Sequence, residues 1–239
     1  MIEVTITSDL HGNLPVVGDG LDLMLVCGDV CPARRHYFDY QYKWVKENFC
    51  PWVKSLPYND ADGRTVMVWG NHDFFEHIPV GREEMDEEFS SLTDGRLVIL
   101  NHGGCTYRKG AERLKLFGTP YCKQFYNWAF MHDDKFLEER FAEIPGDIDI
   151  LISHDPASVN RLGVIHEGWS AGTDAGNHIL ARELARVKPR YYFAGHIHSG
   201  NHCLETVDGI TMANVSYVNE SYTPTFDPLR ISVEGSIEV

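Results

Sequence analysis

Five short stretches of this chain carry residue types that hold divalent cations: Asp9-Leu10-His11, Gly28-Asp29, Gly70-Asn71-His72-Asp73, Ser153-His154 and Gly195-His196-Ile197-His198. Taken singly, each reads more simply as structure. An Asp or Asn after a strand is mostly a cap or turn residue, and Gly beside either mostly marks a turn. A lone histidine is more often a satisfied structural group than a ligand, and His36, His77, His102, His132, His166, His178 and His202 receive that reading. The five stretches differ because they form a set, and their inventory fits one chemistry. Two divalent cations roughly 3.5–4 Å apart clamp an oxyanion and activate a water. Such a pair needs a bridging carboxylate and several oxygen and nitrogen ligands. Carboxylate, amide oxygen and imidazole suit Mn, Fe, Ni or Zn better than Mg or Ca. No thiolate belongs to the set, which argues against a structural zinc site.

The elements that must position these groups are legible as apolar runs rich in β-branched residues, at 2–7, 23–27, 65–69, 97–100, 114–117, 148–153 and 190–194. Runs of this kind predict buried strands. Five of them lead into the five polar stretches, so the groups sit at C-terminal strand ends, where α/β sheets place their sites. Glycines beside several of them allow close backbone approach. Between the runs lie helical stripes: Tyr37, Tyr40, Trp44, Val45 and Phe49; Leu137, Phe141 and Ile144; and Leu180, Leu184 and Val187, ended by Pro189. Strands alternating with helices predict an α/β architecture. After Ala194 the pattern changes to strands at 202–207, 210–215 and 229–233. Asp208-Gly209 joins the first two as a hairpin, which predicts an antiparallel C-terminal part and a mixed sheet system. No repeat, low-complexity tract or long linker divides the chain, so residues 1–239 are expected to form one domain.

Composition narrows the partners. Of 239 residues, 43% are hydrophobic and 23% charged, enough for a sizeable core. The formal charge of −14 repels nucleic acid and anionic membranes at long range. It leaves phosphate substrates open, because a bound metal pair reverses the sign locally. No Lys/Arg strip interleaved with aromatics suggests a nuclease channel, so stable nucleic-acid binding is not expected. No apolar run approaches the roughly 18 residues of a membrane span, and the N-terminal residues show no signal-peptide pattern. The six cysteines, Cys27, Cys31, Cys50, Cys105, Cys122 and Cys203, make no dense disulfide framework. A cytoplasmic protein with free thiols is the expectation.

In order and spacing the five stretches resemble the signature blocks of the calcineurin-like metallophosphoesterase superfamily, and the likeness covers almost the whole chain. Phe117-Gly118-Thr119-Pro120, Asn127-Trp128-Ala129-Phe130 and Ala213-Asn214-Val215-Ser216 are similar to the small class III cyclic-nucleotide phosphodiesterase-like group, which includes the brain metallophosphoesterase-domain proteins. The resemblance implies a four-layer α/β/β/α sandwich of two mixed β-sheets flanked by helices. It implies two divalent transition-metal ions, manganese first, with iron, nickel or zinc as alternatives. It assigns Asp9, His11 and His198 to one metal, Asn71, His154 and His196 to the other, and Asp29 to the bridge. His72 would hold no metal and would protonate the leaving oxygen or stabilise developing charge, with Asp73 orienting it. The implied reaction is hydrolysis of small phosphodiesters, cyclic nucleotides among them, by in-line attack of a metal-bridging hydroxide. A phosphomonoesterase acting on phosphoproteins or metabolites, and a catalytically silent scaffold of the same fold, are the alternatives. The chain departs from the pattern after His154, where Asp155-Pro156-Ala157 has lost the second of two prolines; the ligand is kept and the loop shape changes.

The substrate side is less marked. Arg34, Arg35, Arg161 and Lys123 are each either a phosphate contact or solvated surface. Tyr121, Phe125, Tyr126 and Trp128 either stack on a base or pack the core. The stretch from Leu162 to Gly176, with His166 and Trp169, is expected to flank the site as a loop. The acidic run 83–88 reads as a solvated helix face.

Overall fold

The computed structural model describes residues 1–76, 81–166 and 168–237; His77 lies outside them. In chain order the strands are β1 (Ile2–Thr7), β2 (Leu23–Cys27), β3 (Arg64–Val68), β4 (Leu97–Ile99), β5 (Gly103–Lys109), β6 (Glu112–Thr119), β7 (Cys122–Lys123), β8 (Met131–His132), β9 (Ile150–Ser153), β10 (Tyr191–Ala194), β11 (Glu205–Val207), β12 (Ile210–Asn214), β13 (Leu229–Val233) and β14 (Ser236–Ile237). The helices are α1 (Phe38–Trp44), α2 (Cys50–Ser55), α3 (Arg82–Leu92), α4 (Asp134–Phe141) and α5 (His178–Val187). A π-helical turn, Val45–Phe49, joins α1 to α2. Pro51 lies just beyond it; lacking an amide N–H, proline cannot continue the ordinary ladder, and the extra residue of the π turn absorbs the defect.

Two large mixed sheets face each other. The first runs β13-β1-β2-β3-β4, parallel except where β13 joins β1. The second runs β11-β12-β10-β9-β6-β14, with β5 also on β6. Its centre, β12-β10-β9-β6, is parallel, and β5, β11 and β14 are antiparallel. Strand alternation builds the layers. Leu23, Leu25 and Cys27 of β2 point between the sheets, where Ile150, Ile152 and Phe193 meet them. Met24 and Val26 point outward to Val45, Phe49, Val53, Met85 and Phe89 on the helices over the first sheet. Leu151 and Tyr192 point outward on the second sheet to Leu137, Phe141, Leu180 and Leu184 of α4 and α5. The arrangement is the four-layer α/β/β/α sandwich. Both faces of the central strands are buried, which is why they read as continuous apolar runs without alternation.

Two expectations change. The C-terminal part is only partly antiparallel: the Asp208-Gly209 turn, both residues at positive φ, closes the β11–β12 hairpin. Yet β12 runs parallel to β10, and β13 crosses to the first sheet. Strand β5 has no counterpart among the apolar runs, because it is an edge strand on which only Tyr107 is buried. The acidic run 83–88 lies on α3, which buries Met85 and Phe89 and turns Glu83, Glu84 and Glu87 outward. No described helix is long and apolar enough to cross a membrane.

Candidate metal centre

The parallel ladder β1–β2 continues past its ends: the Asp9 N–H donates to Gly28 O (3.0 Å) and the His11 N–H to Asp29 O (2.9 Å). The second sheet does the same, with His154 N–H to Thr119 O (3.2 Å) and Gly195 N–H to His154 O (3.1 Å). The two edges are tied together by Tyr217 N–H to Ser8 O (2.8 Å). All five stretches therefore meet at one end of the sandwich, from both sheets. Close approach needs bare backbone at two points. A Cβ on Gly70 would lie 2.2 Å from Asp29 Oδ1, and one on Gly195 would lie 2.0 Å from Ser8 Oγ and 2.2 Å from Asp9 Oδ2. Asp9, His11, Asp29 and His196 all hold left-handed backbone, with φ of 52°, 44°, 54° and 65°. Such strain, about 1–3 kcal/mol per residue, concentrates at functional sites.

Buried acids and imidazoles converge there. Asp9, His11 and His198 bring ligand atoms within 4.8 Å of one another, and so do Asp9, Asp29 and His154. His198 Nε2 lies 3.3 Å from Asp9 Oδ1 and 3.3 Å from His11 Nε2. His154 Nε2 lies 2.9 Å from Asn71 Oδ1 and 3.3 Å from Asp29 Oδ2, and His11 Nε2 lies 3.6 Å from the same Asp29 oxygen. The ring of His196 packs against His154 at 5.1 Å, and its backbone N–H donates to both Asp9 oxygens (3.1 and 3.0 Å). Ser216 Oγ also donates to Asp9 Oδ2, at 2.8 Å. Asp9, His11, Asn71, His154, His196 and His198 thus gather with Asp29 from both sheets.

The donor chemistry tests whether cations fit. His154 Nδ1 sits 2.8 Å from Cys27 O, and His198 Nδ1 sits 3.0 Å from Asn219 O. A carbonyl only accepts, so each Nδ1 carries the proton, and in a neutral ring Nε2 is then a bare acceptor. Each Nε2 points at carboxylate or amide oxygen, where in the neutral ring acceptor would face acceptor; a second proton or a cation resolves that conflict. His11 Nδ1 is buried without a hydrogen-bond partner, which leaves Nε2 as the nitrogen turned toward Asp29 and His198. Burial works against ionising Asp9 and Asp29, but His198 and His154 hold both carboxyls below the ordinary range. Burial pushes His11 down to about 4 and His196 down to about 3, so both are neutral, as ligands must be. His154 is drawn upward against its burial by Asp29 and Asp9; proton and metal answer the same local negative charge.

His72 stands beside this cluster. Its backbone N–H donates to Asp29 Oδ1 (2.7 Å), and its ring lies 5.0 Å from that of His11 and 4.4 Å from Trp128. Asp73, expected to orient that ring, makes its hydrogen bonds to backbone. Its carboxylate accepts the N–H groups of Gly70 (2.9 Å), Val30 (3.2 Å) and Cys31 (2.9 Å), clamping two strand ends together. Burial and the charge of Asp29 push this carboxyl up to about 7. The atom facing His72 Nδ1 is instead His36 Nε2, at 3.1 Å. Gln41, on α1, fixes the loop itself, donating to His72 O and accepting from Phe74 N–H, both at 2.7 Å. Tyr222 lies edge-on over His11 at 4.7 Å and 5.5 Å from His198. His36, Gln41 and Tyr222 escaped the sequence reading because no motif or strand end marks them. Ser216 was visible only as part of a family-like stretch.

A cleft of about 780 Å³ opens beside His11, lined by Arg34, Arg35, Tyr40 and Tyr222 among others. Lys123 is held by Gly176 O at 3.2 Å, and Arg161 is exposed outside this cleft. Tyr121 packs against Phe136 and His132, whereas Phe125 and Tyr126 are exposed and Trp128 joins the site. At the start of the stretch expected to flank the site, Leu162 O accepts from Asn214 Nδ2 (3.1 Å), which also donates to Ile197 O (2.8 Å).

The chain is a four-layer sandwich whose strand ends gather buried carboxylates and imidazoles able to hold metal ions. Residues 2–200 match the calcineurin-like phosphoesterase family, and the chain belongs to it. That family works with a binuclear divalent metal centre. The chain is 24% identical over 216 residues to metallophosphoesterase domain-containing protein 1 of Homo sapiens, covering 78% of this chain and 59% of that protein. It is 27% identical over 205 residues to the probable rhamnogalacturonate lyase C of Emericella nidulans, covering 84% of this chain but 17% of the lyase. The chain thus spans less than two thirds of these relatives. Phosphopantetheinyl hydrolase of Mycobacterium tuberculosis shares the fold, with a TM-score of 0.54 at 14% identity over 92% of this chain and 90% of that one.

Proposed function

We propose that the chain is a two-metal phosphoesterase that hydrolyses small phosphodiesters, cyclic nucleotides among them. The observation that carries the metal dependence is the pair of imidazoles, His154 and His198, fixed through Nδ1 so that their Nε2 atoms face the oxygens of Asn71, Asp29 and Asp9. When bound, two divalent cations supply Lewis-acid charge at the phosphoryl oxygens and a water of lowered pKa. Manganese is the first candidate, and iron, nickel or zinc suits the same ligands. Asp9, His11 and His198 would hold one cation, Asn71, His154 and His196 the other, and Asp29 both. His72, left without a metal, offers its ring nitrogen to the leaving oxygen.

A small ester is favoured by the cleft beside His11, whose volume falls in the range of small-molecule sites. Arg34 and Arg35 bring positive charge to it, in a chain of net charge −14. The diester preference rests on the likeness of 117–120, 127–130 and 213–216 to the class III group. All six cysteines are free, which supports a reducing, cytoplasmic setting. The test compares bis(4-nitrophenyl) phosphate with 4-nitrophenyl phosphate on manganese-loaded protein. Faster diester cleavage is expected. Equal or reversed rates favour a phosphomonoesterase, and no metal-dependent hydrolysis of either favours a silent scaffold.

A further inference from the structure

We propose that His36 is the positioning residue of His72: it holds the imidazole through Nδ1 and so presents Nε2–H to the substrate. The inference rests on the phosphoesterase reading, and it assigns a role to a residue that no strand end or motif singles out.

The geometry carries it. His36 Nε2 and His72 Nδ1 are 3.1 Å apart, a hydrogen bond between two imidazoles in which one nitrogen donates and the other accepts. No other described side chain hydrogen-bonds the His72 ring. Asp73, adjacent in sequence, is occupied by three backbone N–H groups. When His36 gives its Nε2–H, His72 Nδ1 is the acceptor, and the single proton of a neutral His72 sits on Nε2. That tautomer is the one that can donate a hydrogen bond to the charge developing on a leaving oxygen, and fixing it is the work of the partner on the far nitrogen. The reverse tautomer would turn a bare lone pair toward that oxygen and give nothing.

His36 is itself well held. Its ring stacks on Phe74 at 5.5 Å and meets Trp128 edge-on at 4.9 Å, while Trp128 covers His72 at 4.4 Å. His36 lies just before Tyr37, the N-cap of α1, whose Gln41 grips the backbone on either side of Asp73. One segment, from His36 to Gln41, therefore fixes both the ring and the backbone of His72. An exposed surface histidine would show neither the partner nor this packing.

The experiment uses the zinc-loaded full chain and the variants His36→Ala, His36→Gln and His72→Ala, with metal content and melting temperature confirmed against the wild type. Rates are measured on phosphodiesters whose leaving groups range from 4-nitrophenolate to alkoxide. Stabilisation of charge on the leaving oxygen matters most for poor leaving groups. His36→Ala should lower kcat about 10–100-fold on alkyl diesters, leave 4-nitrophenyl diesters near the wild-type rate, and leave KM little changed. His36→Gln, whose amide N–H can replace the donor, should recover much of the loss, and His72→Ala should show the same leaving-group dependence as His36→Ala. In parallel, ¹⁵N–¹H correlation of the His72 ring should show the Nε2–H tautomer in the wild type and a mixture in His36→Ala. An equal loss on every leaving group, a loss confined to KM, or an unchanged tautomer overturns the proposal. Absence of hydrolysis by the wild type counts against the phosphoesterase reading alone, because the tautomer measurement still decides the role of His36.

Discussion

Cation binding should raise the melting temperature in two separable increments, one for each ligand group around Asp29. At a free metal concentration one hundred times Kd, each site adds about 2.7 kcal/mol to the folded state. Unfolding entropy near the midpoint is about 2.1 cal/mol/K per residue, so a chain of 239 residues has a total of about 0.5 kcal/mol/K. Each occupied site should therefore raise Tm by about 5 °C, and two by about 10 °C. The contacts divide the groups: His198 Nε2 reaches Asp9 and His11 but not Asn71, whereas Asn71 Oδ1 reaches His154. His198→Ala and Asn71→Ala should each keep about half of the metal-induced rise, and Asp29→Asn should keep least. The assay is thermal unfolding of chelator-stripped protein titrated with Mn²⁺ or Zn²⁺, with bound metal counted by elemental analysis. A wild-type Tm unmoved by Mn²⁺, Zn²⁺, Fe²⁺ and Ni²⁺ would refute the two-cation reading. Retention of the whole rise by either single variant would refute the division of ligands.

Gly195→Ala places a methyl 2.0 Å from Ser8 Oγ and 2.2 Å from Asp9 Oδ2; overpacking of this kind costs about 1–3 kcal/mol. Denaturant unfolding should show that loss together with reduced metal content, and wild-type values in both would contradict the close approach. Burial pushes the Asp86 carboxyl up to about 6, against the pull of Arg82 and Asn101, and its Oδ1 is buried without a partner. Between the unfolded value of about 3.9 and this folded value, the native state binds more protons than the unfolded chain. Stability from this group is thus greatest below about pH 4 and falls as pH rises toward about 6. Asp86→Asn should remove that fall and unfold at higher denaturant at pH 7; a variant less stable than wild type at pH 7 contradicts the sign.

Much of the centre was legible because its ligands are coupled to strand ends, and strand ends are marked by local pattern. Apolar runs set Leu23–Cys27, Arg64–Val68 and Tyr191–Ala194 as strands, and the polar residue after each run is then at a sheet edge by chain continuity alone. Edge strand β5 left no such mark, because pairing with β6 and not burial makes it a strand.

Sequence alone determined which residues have ligand chemistry, that they follow strands, and that acid, amide and imidazole would suit a cation pair. Only the tertiary structure decided how they face one another. It turned His154 and His198 by hydrogen bonds to carbonyls of Cys27 and Asn219, residues 127 and 21 positions away. It also gave Asp73 to the backbone of two strand ends and put His36 against His72. The physical reason is range: periodicity and capping are set by neighbours within a few residues, whereas tautomer, charge state and ring orientation are set by whichever atoms the folded chain brings within hydrogen-bonding distance.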